Sequence, residues 1–221
     1  MRVAIQGFGN GGYHAGRLLQ QDGYRIVAVS DSKGAIYSDE GFDIERLWQV
    51  KQQSRKVSAV YCEGSVCETK DHEEISNAEL LALDVDLLIP AALEGVIDCG
   101  NVERIRAGTI VEIANGPVRS DAEAALAKRN IRVVPDVLAN AGGVTVSYFE
   151  WVQNRSGYPW SLERVREELK RYMTLAFDET FRIAEEQGRT LRNAAYLLAL
   201  QRIADAMRAH GTQEYFQNGK D

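Results

Sequence analysis

The most constraining feature of this sequence is a set of three glycines between a short apolar segment and a helical pattern. Residues 2–6 are typical of a buried β-strand, and Gly7, Gly9 and Gly12 follow them directly. A strand, a glycine-rich turn and a helix in this order favour a fold in which strands and helices alternate. The glycines therefore indicate a parallel sheet with a ligand site at one end of its first helix.

Each glycine of this G-x-G-x-x-G pattern has a physical reason. Gly7 permits a tight turn, Gly9 lets a pyrophosphate approach the backbone, and Gly12 lets the helix pack closely on the sheet. Free N–H groups and the positive end of the helix dipole would hold the phosphates. Asp31, which ends the next predicted strand, would accept hydrogen bonds from an adenosine ribose. The alternative is that the glycines form only a turn and that Asp31 caps a helix.

The cofactor choice between NAD and NADP stays open at Lys33. This lysine follows Asp31 and Ser32 and is placed either to contact a 2′-phosphate or to be solvated in its loop.

Alternating strand and helix patterns continue along the chain. The predicted strands are 2–6, 25–29, 85–89, 109–113 and 131–134. The first predicted helix comes after Gly12, with Ala15, Leu18 and Leu19 on one side and Gly23 past its end. Four shorter helices are predicted at 44–51, at 76–83 with a Ser76–Glu79 capping box, at about 102–107 and at about 121–128. Two long helices are predicted at the end, one from Ser161 to a stop at Gly188 and one from Leu191 through Met207 to an end at Gly211. Residues 32–42 are interpreted as turns and residues 52–75 as irregular surface.

Continuous apolar runs within 85–89 and 131–134 are typical of strands covered on both faces, as in a parallel sheet. We therefore expect an α/β fold, Rossmann-like and doubly wound with a mainly parallel sheet, and a helical C-terminal extension. The predicted division is a dinucleotide-binding core over 1–155 and C-terminal helices over 156–221.

Composition excludes several other classes of protein. With 26 Lys and Arg against 32 Asp and Glu, the net charge of −6 argues against a nucleic-acid binder. No apolar run approaches the ~20 residues that cross a bilayer, and the N-terminus lacks the pattern of a signal peptide. Cys62, Cys67 and Cys99 form no paired C-x-x-C, and the three histidines are scattered, so no metal site is predicted. We expect a cytoplasmic protein without a membrane partner.

Five segments of the sequence together resemble those of a known family. They are Val3-Ala4-Ile5-Gln6-Gly7-Phe8-Gly9-Asn10, Val29-Ser30-Asp31-Ser32-Lys33-Gly34, Ile89-Pro90-Ala91-Ala92-Leu93-Glu94, Ala114-Asn115-Gly116-Pro117, and the run from Asn140 to Asn154 (NAGGVTVSYFEWVQN). With these segments the chain resembles the coenzyme domain of hexameric glutamate dehydrogenases, from Arg2 to about Gly211. Leucine and phenylalanine dehydrogenases share the glycines but diverge after Gly-Gly-Val, so a substrate with a branched or aromatic side chain is disfavoured.

The resemblance implies roles for individual residues. It implies NAD or NADP as the cofactor, with its adenosine and pyrophosphate bound by Gly7, Phe8, Gly9, Asn10, Gly11, Gly12, Asp31, Ser32 and Lys33, and its nicotinamide side by Ala91, Ala92, Asn115 and Asn140. It also implies that Val144 and Ser147 reach the glutamate pocket, with Ser147 bonding the side-chain carboxylate. In the complete enzyme a hydride would pass between the α-carbon of glutamate and the nicotinamide, giving an imine that hydrolyses to 2-oxoglutarate and ammonia.

Several of these residues have simpler interpretations. Asn115-Gly116-Pro117 is also an ordinary turn, Gly142-Gly143 also fits a flexible junction between a strand and a helix, and Ser147 also fits a solvated helix face. The aromatic cluster Tyr148, Phe149 and Trp151 favours packing over a cofactor platform. The apolar stripe of the long helix (Leu162, Val165, Leu169, Met173, Phe177, Phe181 and Ala184) is interpreted as core.

The sequence departs from the family pattern at two positions. Gly11 replaces an aliphatic residue, which costs about 1 kcal/mol in helix propensity, and Ile113 stands where the family has a small residue. We expect Ile113 to crowd the floor near Asn115.

The resemblance also implies a substrate domain that would precede this chain and supply catalytic lysines and an aspartate. No Lys-Gly-Gly or Pro-Ala-Pro-Asp segment is found here, so no catalytic residue is assigned to this chain. We expect it to bind dinucleotide without turning over glutamate, and its partner to be a substrate domain of the same enzyme if that is separately encoded. The parent family is homohexameric, but the chain alone is expected to be monomeric. The alternative is a stand-alone, non-catalytic NAD(P)-binding or regulatory module.

Overall fold

The computed structural model describes residues 1–54, 57 and 72–209 of the 221-residue chain. Its strands are β1 (Arg2–Gln6), β2 (Arg25–Asp31), β3 (Gly34–Tyr37), β4 (Glu73–Ile75), β5 (Leu87–Pro90), β6 (Thr109–Val111) and β7 (Arg132–Val134). Its helices are α1 (Asn10–Gln21), α2 (Ile44–Ser54), α3 (Asn77–Leu81), α4 (Ser120–Lys128), α5 (Asp136–Ala139), α6 (Ala141–Ser156), α7 (Leu162–Gln187) and α8 (Leu191–Ala209).

The described strands form one sheet in the order β4-β3-β2-β1-β5-β6-β7. β2, β1, β5, β6 and β7 run parallel, whereas β3 and β4 are antiparallel additions at one edge. β1 pairs with β2 on one side and with β5 on the other, so the order of strands reverses at β1. The predicted α/β class and mainly parallel sheet are confirmed, and the reversal at β1 is where such sheets bind ligands.

Apolar side chains of the central strands alternate between two buried clusters. Val3 and Ile5 of β1 belong to a cluster that includes Ile44 and Leu47 of α2. Ala4, between them, belongs to the other cluster, which includes Leu80 of α3 and Leu126 of α4. Because successive side chains of a strand point to opposite faces, burial of neighbours means that the sheet is covered on both faces.

The antiparallel edge was not predicted. β3 lies within residues 32–42, interpreted as turns, and β4 lies within residues 52–75, interpreted as irregular surface. Both strands are short, of four and three residues, and Gly34, which opens β3, has a φ of +153°. A glycine before so short a run reads as turn punctuation, which is why the strand signal was missed.

The helix predicted at about 102–107 is wrong, because the structure has only a 3₁₀ turn at Val102–Arg104. Ile105 follows with extended backbone. The Arg129 guanidinium donates to the carbonyl oxygens of Val102 and Ile105, both at 2.6 Å. Those carbonyls are groups that a longer helix would bond within itself, so the arginine replaces further helical turns.

The predicted apolar side of α1 also differs from the observed one. Gly12 and Gly16 are the buried residues of this helix, whereas Leu18 is 52 % exposed. An added Cβ at Gly16 would lie 3.0 Å from Ile5. The helix therefore approaches the sheet through its glycines, a contact that a search for large apolar residues does not find.

Contacts within the chain define two compact units, Met1–Ala139 and a second from Asn140 onward. The boundary predicted from the sequence lies at 155/156. In the structure, α6 instead groups with the C-terminal helices. The Ser76–Glu79 capping box and the ends of α7 at Ser161 and Gly188 are confirmed.

Some predictions lie outside the described residues, among them those for Cys62 and Cys67 and the end of the last helix at Gly211. α8 is described as far as Ala209. In the described part of the chain, each helix is too short or too polar to cross a membrane.

Candidate functional site

The segment from Gly7 to Gly12, called the glycine loop, covers the turn after β1 and the first turn of α1. Only glycine fits its backbone at two positions. Gly7 has a φ of +99°, and an added Cβ would lie 2.6 Å from the Cβ of Ala92. An added Cβ at Gly12 would lie 2.0 Å from the carbonyl oxygen of Gly7. Neither position can hold a side chain, so the predicted tight turn and close helix packing are confirmed.

Gly9 is different, because its lack of a side chain is not required by the protein itself. It is exposed, and an added Cβ would meet no atom within 4 Å. Gly9 is also the N-cap of α1, and no side chain caps the helix there. The first N–H groups of a helix have no intrahelical partner, so α1 presents uncapped donors next to open space.

A buried serine fixes this loop to the neighbouring strand. Ser30, near the end of β2, is fully buried. Its hydroxyl oxygen accepts a hydrogen bond from the N–H of Gly7 (3.1 Å), and its carbonyl oxygen accepts one from the N–H of Phe8 (2.6 Å). These bonds set the start of the loop and hold Phe8 in the core, where it is 1 % exposed. No pattern in the sequence predicts this role of Ser30.

Asp31, the last residue of β2, is half-buried beside this loop and caps no described helix. Its carboxylate accepts backbone N–H bonds from Lys33 (2.8 Å) and Val57 (2.9 Å). Its carbonyl oxygen accepts a bond from the side chain of Asn77 (3.1 Å). A carboxylate has about four acceptor positions, and these two donors from the described residues occupy one on each oxygen of Asp31. Ser32 and Lys33 are exposed in the turn that follows.

Lys51 is a cation at this loop that was not predicted from the sequence. Its Nζ donates to the carbonyl oxygen of Phe8 and lies 5.7 Å from the centre of the Phe8 ring. Burial lowers the pKa of Lys51, and the negative charge of Asp31 opposes that shift. The lysine comes from the last turn of α2, and no local pattern relates that turn to the glycine loop.

The two departures from the family pattern meet in space. An added Cβ at Gly11 would lie 3.1 Å from Cγ2 of Ile113, which is tighter than most real contacts. The absence of a side chain at Gly11 therefore accommodates the larger residue at Ile113. Ile113 thus lies next to the first turn of α1, and the crowding expected near Asn115 stays a prediction.

Ala91, Ala92 and Asn115 follow β5 and β6 at the same edge of the sheet. The N–H of Ala91 donates to Gln6 (2.7 Å), which keeps it beside the end of β1. The carbonyl oxygen of Pro90 accepts bonds from Ile113 (3.1 Å) and Ala114 (2.9 Å). Asn115 and Ala92 are exposed.

The structure thus brings most of the sequence-predicted residues to one edge of the sheet. Residues 7–12, 31–33, 91–92 and 115 all lie at or just after the carboxyl ends of the adjacent strands β1, β2, β5 and β6. In parallel sheets this edge, at the reversal of strand order, is the usual place for a ligand.

The remaining predicted residues belong to the second unit. Asn140 precedes α6, while Val144 and Ser147 lie three residues apart on this helix and therefore share a face. Val144 is 69 % exposed, and the Ser147 hydroxyl donates to the carbonyl oxygen of Gly143 (3.2 Å). Gly142 and Gly143 lie in the first turn of α6, so the interpretation as a flexible junction is wrong.

The aromatic cluster and the stripe of α7 are only partly core. Phe149 is 2 % exposed, whereas Tyr148 and Trp151 are 55 % and 57 % exposed and stack on each other at 5.9 Å. In the stripe of α7 only Ala184 is fully buried, and Leu162 is 57 % exposed.

A groove of about 890 Å³ lies elsewhere, between the last turn of α1 and the first turns of α2. It contains none of the predicted site residues. Its charged lining residues are Arg17, Arg25, Arg46, Glu40, Asp43 and Glu45, whose charges cancel. The groove therefore lacks the net positive charge that would favour a phosphate.

Comparison with known proteins relates the whole described arrangement to one family. The sequence pattern of the Glutamate/Leucine/Phenylalanine/Valine dehydrogenases matches residues 1–211. The NADP-specific glutamate dehydrogenase of Synechocystis is 50 % identical over 216 residues, which are 98 % of this chain and 50 % of that protein. The glutamate dehydrogenase of Thermotoga maritima is 49 % identical over 95 % of this chain and 48 % of its own. The chain thus spans about half the length of the curated relatives it matches.

Solved structures agree with this comparison. The hetero-hexameric glutamate dehydrogenase of Thermus thermophilus, in a leucine-bound form, superimposes with a TM-score of 0.82 at 32 % identity, over 95 % of this chain and 47 % of that one. The L-tryptophan dehydrogenase of Nostoc punctiforme gives a TM-score of 0.65 at 27 % identity, over 94 % of this chain and 54 % of that one.

Proposed function

Because the chain belongs to the Glutamate/Leucine/Phenylalanine/Valine dehydrogenase family, we propose that it is the dinucleotide-binding half of a glutamate dehydrogenase. The observation that carries the proposal is the contrast among the loop glycines. Gly7 and Gly12 have no room for a side chain, whereas Gly9 faces open space at the uncapped end of α1. An open position next to free N–H donors is what a pyrophosphate needs.

The residues at this edge of the sheet fit the adenosine half of NAD or NADP. The N–H groups at the start of α1 (Asn10, Gly11 and Gly12) would bond the pyrophosphate, and Asp31 would accept bonds from the adenosine ribose. Ser30 keeps the loop against β2, so that these groups hold a fixed shape before the cofactor arrives. Preorganisation of this kind lowers the entropic cost of binding.

The other candidate residues would receive the nicotinamide half and the substrate. Ala91 and Ala92 would line the cofactor cleft, Asn115 would contact the ribose, and Asn140 would hold the carboxamide. Val144 and Ser147, which share an exposed face of α6, would contact glutamate, with the hydroxyl bonding its side-chain carboxylate.

When bound, the nicotinamide supplies hydride transfer in the oxidative deamination of L-glutamate to 2-oxoglutarate and ammonia. The groups proposed here bind and orient, and none of them is proposed to move a proton at the reacting amine. General acid–base chemistry requires such a group within hydrogen-bond reach. We therefore expect that the 221-residue chain binds dinucleotide but does not turn over glutamate without a complementary substrate-binding half.

Calorimetric titration with NAD and with NADP tests the proposal and ranks the two cofactors. Asp31→Asn keeps one carbonyl oxygen for the turn but removes the charge, and a hydrogen bond to a charged group is worth about 1.5–3 kcal/mol. We expect the variant to bind the preferred dinucleotide at least about tenfold more weakly. Asp39→Asn is the matched control, since Asp39 is exposed and pairs with Arg2 at 3.1 Å.

Equal affinities of Asp31→Asn and the unchanged chain would reject the adenosine site. Formation of NADH or NADPH from glutamate by the purified chain would contradict the expected lack of turnover. If the unchanged chain binds dinucleotide and gains no activity with any substrate-binding half, the binding-module interpretation replaces the enzyme half.

A further inference from the structure

A fully buried carboxylate closes the loop that carries Asn115. Glu112 follows β6, and its exposed fraction is zero. Its Oε1 accepts the N–H of Val118 at 3.2 Å, and its Oε2 accepts the N–H of Asp136 at 2.7 Å. One side chain therefore joins the two ends of the loop 112–118 and ties both to the start of α5.

Asp136 adds a second carboxylate to the same loop. Its Oδ2 accepts the N–H of Gly116 at 2.8 Å, and its Oδ1 accepts the N–H of Val137 at 2.7 Å. Gly116 has a φ of +56°, so the turn after Asn115 depends on a left-handed residue held by this bond. We call Glu112 and Asp136 together the carboxylate brace.

The brace acts on the backbone on the C-terminal side of Asn115. The carbonyl oxygen of Gly116 accepts the N–H of Gly95 at 2.9 Å, while its N–H is held by Asp136. On the other side of Asn115, Ala114 bonds to Pro90 at 2.9 Å. Asn115 is thus an exposed side chain between two residues whose backbone is fixed.

Stability alone does not explain a buried carboxylate at this position. Removing a charged group from water costs several kcal/mol, and well-packed apolar residues of similar volume often stabilise a fold as well or better. The two backbone groups that Glu112 accepts from, at Val118 and Asp136, both lie outside the strands. A carboxylate that shapes a loop next to a binding edge is better explained by the loop's geometry than by the core.

We propose that the carboxylate brace positions Asn115 for the nicotinamide-side ribose, and that Glu112 is its principal residue. The inference rests on the proposed function, because it assumes that this edge of the sheet binds a dinucleotide. Glu112 and Asp136 are positioning residues, since they act through the loop and through Asn115.

The chemistry of the brace suggests a substitution that keeps its size. Both oxygens of Glu112 accept from backbone N–H groups, whereas glutamine has one oxygen and an NH₂ group that only donates. Glu112→Gln therefore leaves either Val118 or Asp136 with its N–H facing another donor. Asp136→Asn removes one acceptor in the same way at a half-buried position, where the cost to folding is smaller.

Calorimetric titration of the full chain with two probes separates positioning from general damage. NAD or NADP, whichever binds more tightly, reports on both halves of the site, and ADP reports on the adenosine and pyrophosphate alone. We expect Glu112→Gln to weaken dinucleotide binding about tenfold and Asp136→Asn about threefold, with ADP affinity within about twofold of the unchanged chain. Glu186→Gln is the matched control, because Glu186 is exposed and pairs with Arg182 on α7.

The possible results lead to different conclusions. Equal losses for both probes, or no loss for either, would overturn the positioning role while leaving the proposed function in place. Failure of the unchanged chain to bind NAD, NADP and ADP would reject the proposed function and the brace with it. If Glu112→Gln does not fold, Asp136→Asn decides the matter by the same ratio of dinucleotide to ADP affinity.

Discussion

The two units of the chain bury their apolar side chains to very different extents. In the unit of residues 1–139 the sheet carries a closed apolar layer on each face, and residues such as Val3, Ile5 and Leu88 are fully buried. Of the sixteen large apolar side chains that are exposed in the described part of the chain, twelve lie between Val144 and Met207. The helical unit therefore keeps much apolar surface in contact with solvent.

The difference teaches how each unit supports its part of the proposed site. The glycine loop depends on backbone geometry fixed by a closed core, through Ser30, Ala92 and the ends of adjacent strands. Val144 and Ser147 instead lie on an exposed helix face that also includes the stacked pair Tyr148 and Trp151. Several exposed apolar side chains on one helix face are typical of surfaces that bind a partner.

The largest expected effect tests whether the helical unit has a true core. Phe149 is 2 % exposed, and the centre of its ring lies 5.4 Å from that of Trp160 and 5.6 Å from that of Tyr172. We expect Phe149→Ala to lower the free energy of unfolding by about 3–5 kcal/mol, since it leaves a cavity among these rings. Urea unfolding followed by tryptophan fluorescence measures the loss.

Trp151→Ala is the matched comparison for Phe149→Ala, because its indole is 57 % exposed. Its expected cost is below about 1 kcal/mol, as is usual for surface positions. If it costs as much as Phe149→Ala, the contrast between the two units is broken, because the exposed face of α6 would then be covered in solution.

Two glycine substitutions, one in each unit, are expected to change the stability in opposite directions. In Gly12→Ala the new Cβ would lie 2.0 Å from the Gly7 oxygen, so we expect a loss of about 1–3 kcal/mol in stability together with loss of dinucleotide binding. In Gly143→Ala the new Cβ meets no atom within 4 Å inside α6, and we expect a gain of about 0.5–1 kcal/mol. Thermal unfolding and calorimetric titration of both variants check these signs.

The smallest expected effect concerns two helix caps and depends on pH. Hydrogen bonds from the N–H and hydroxyl of Ser76 lower the pKa of Glu79, and bonds from its own N–H and from Ser161 lower the pKa of Glu163. A carboxyl with a lowered pKa in the folded state stabilises it only when ionised. Its contribution is therefore complete above the pKa of the unfolded chain and disappears as the pH falls through the lower, folded value.

We expect Glu79→Gln to reduce the melting temperature at neutral pH more than Glu163→Gln does. α3 places Leu80 and Leu81 in the core, whereas α7 begins with the exposed Leu162 and can fray there. Melting curves across the acid range should show the difference from the unchanged chain vanishing at low pH. A constant difference would mean that the glutamine substitutions act through packing rather than through charge.

The elements that could be predicted from the sequence are those whose signals are local. β1, α1 and β2 have a strand pattern, a glycine turn and a helical pattern in immediate succession, and the capping box of α3 spans four residues. β3 and β4 could not be predicted, because three or four residues carry too little periodicity and their pairing is between distant segments. The helix predicted at 102–107 failed because Arg129, distant in sequence, binds its carbonyl groups.

The candidate site divides in the same way. The glycines and Asp31 were recognised because their spacing is itself the signal. Ser30, Lys51 and Glu112 were missed because each bonds to a residue distant in sequence, as when Lys51 of α2 donates to Phe8. A buried polar residue after an apolar strand, as at Glu112, is the one hint that sequence offered. The binding roles of all these residues stay predictions until they are titrated.

The proximity of Gly11 and Ile113 has a practical consequence for engineering. The side chain of Ile113 occupies the space that a side chain at Gly11 would need. A larger residue at position 11 alone would therefore clash, and a smaller residue at position 113 alone would leave a cavity. A library that varies this part of the loop should therefore randomise the two codons jointly, because the two side chains share one space.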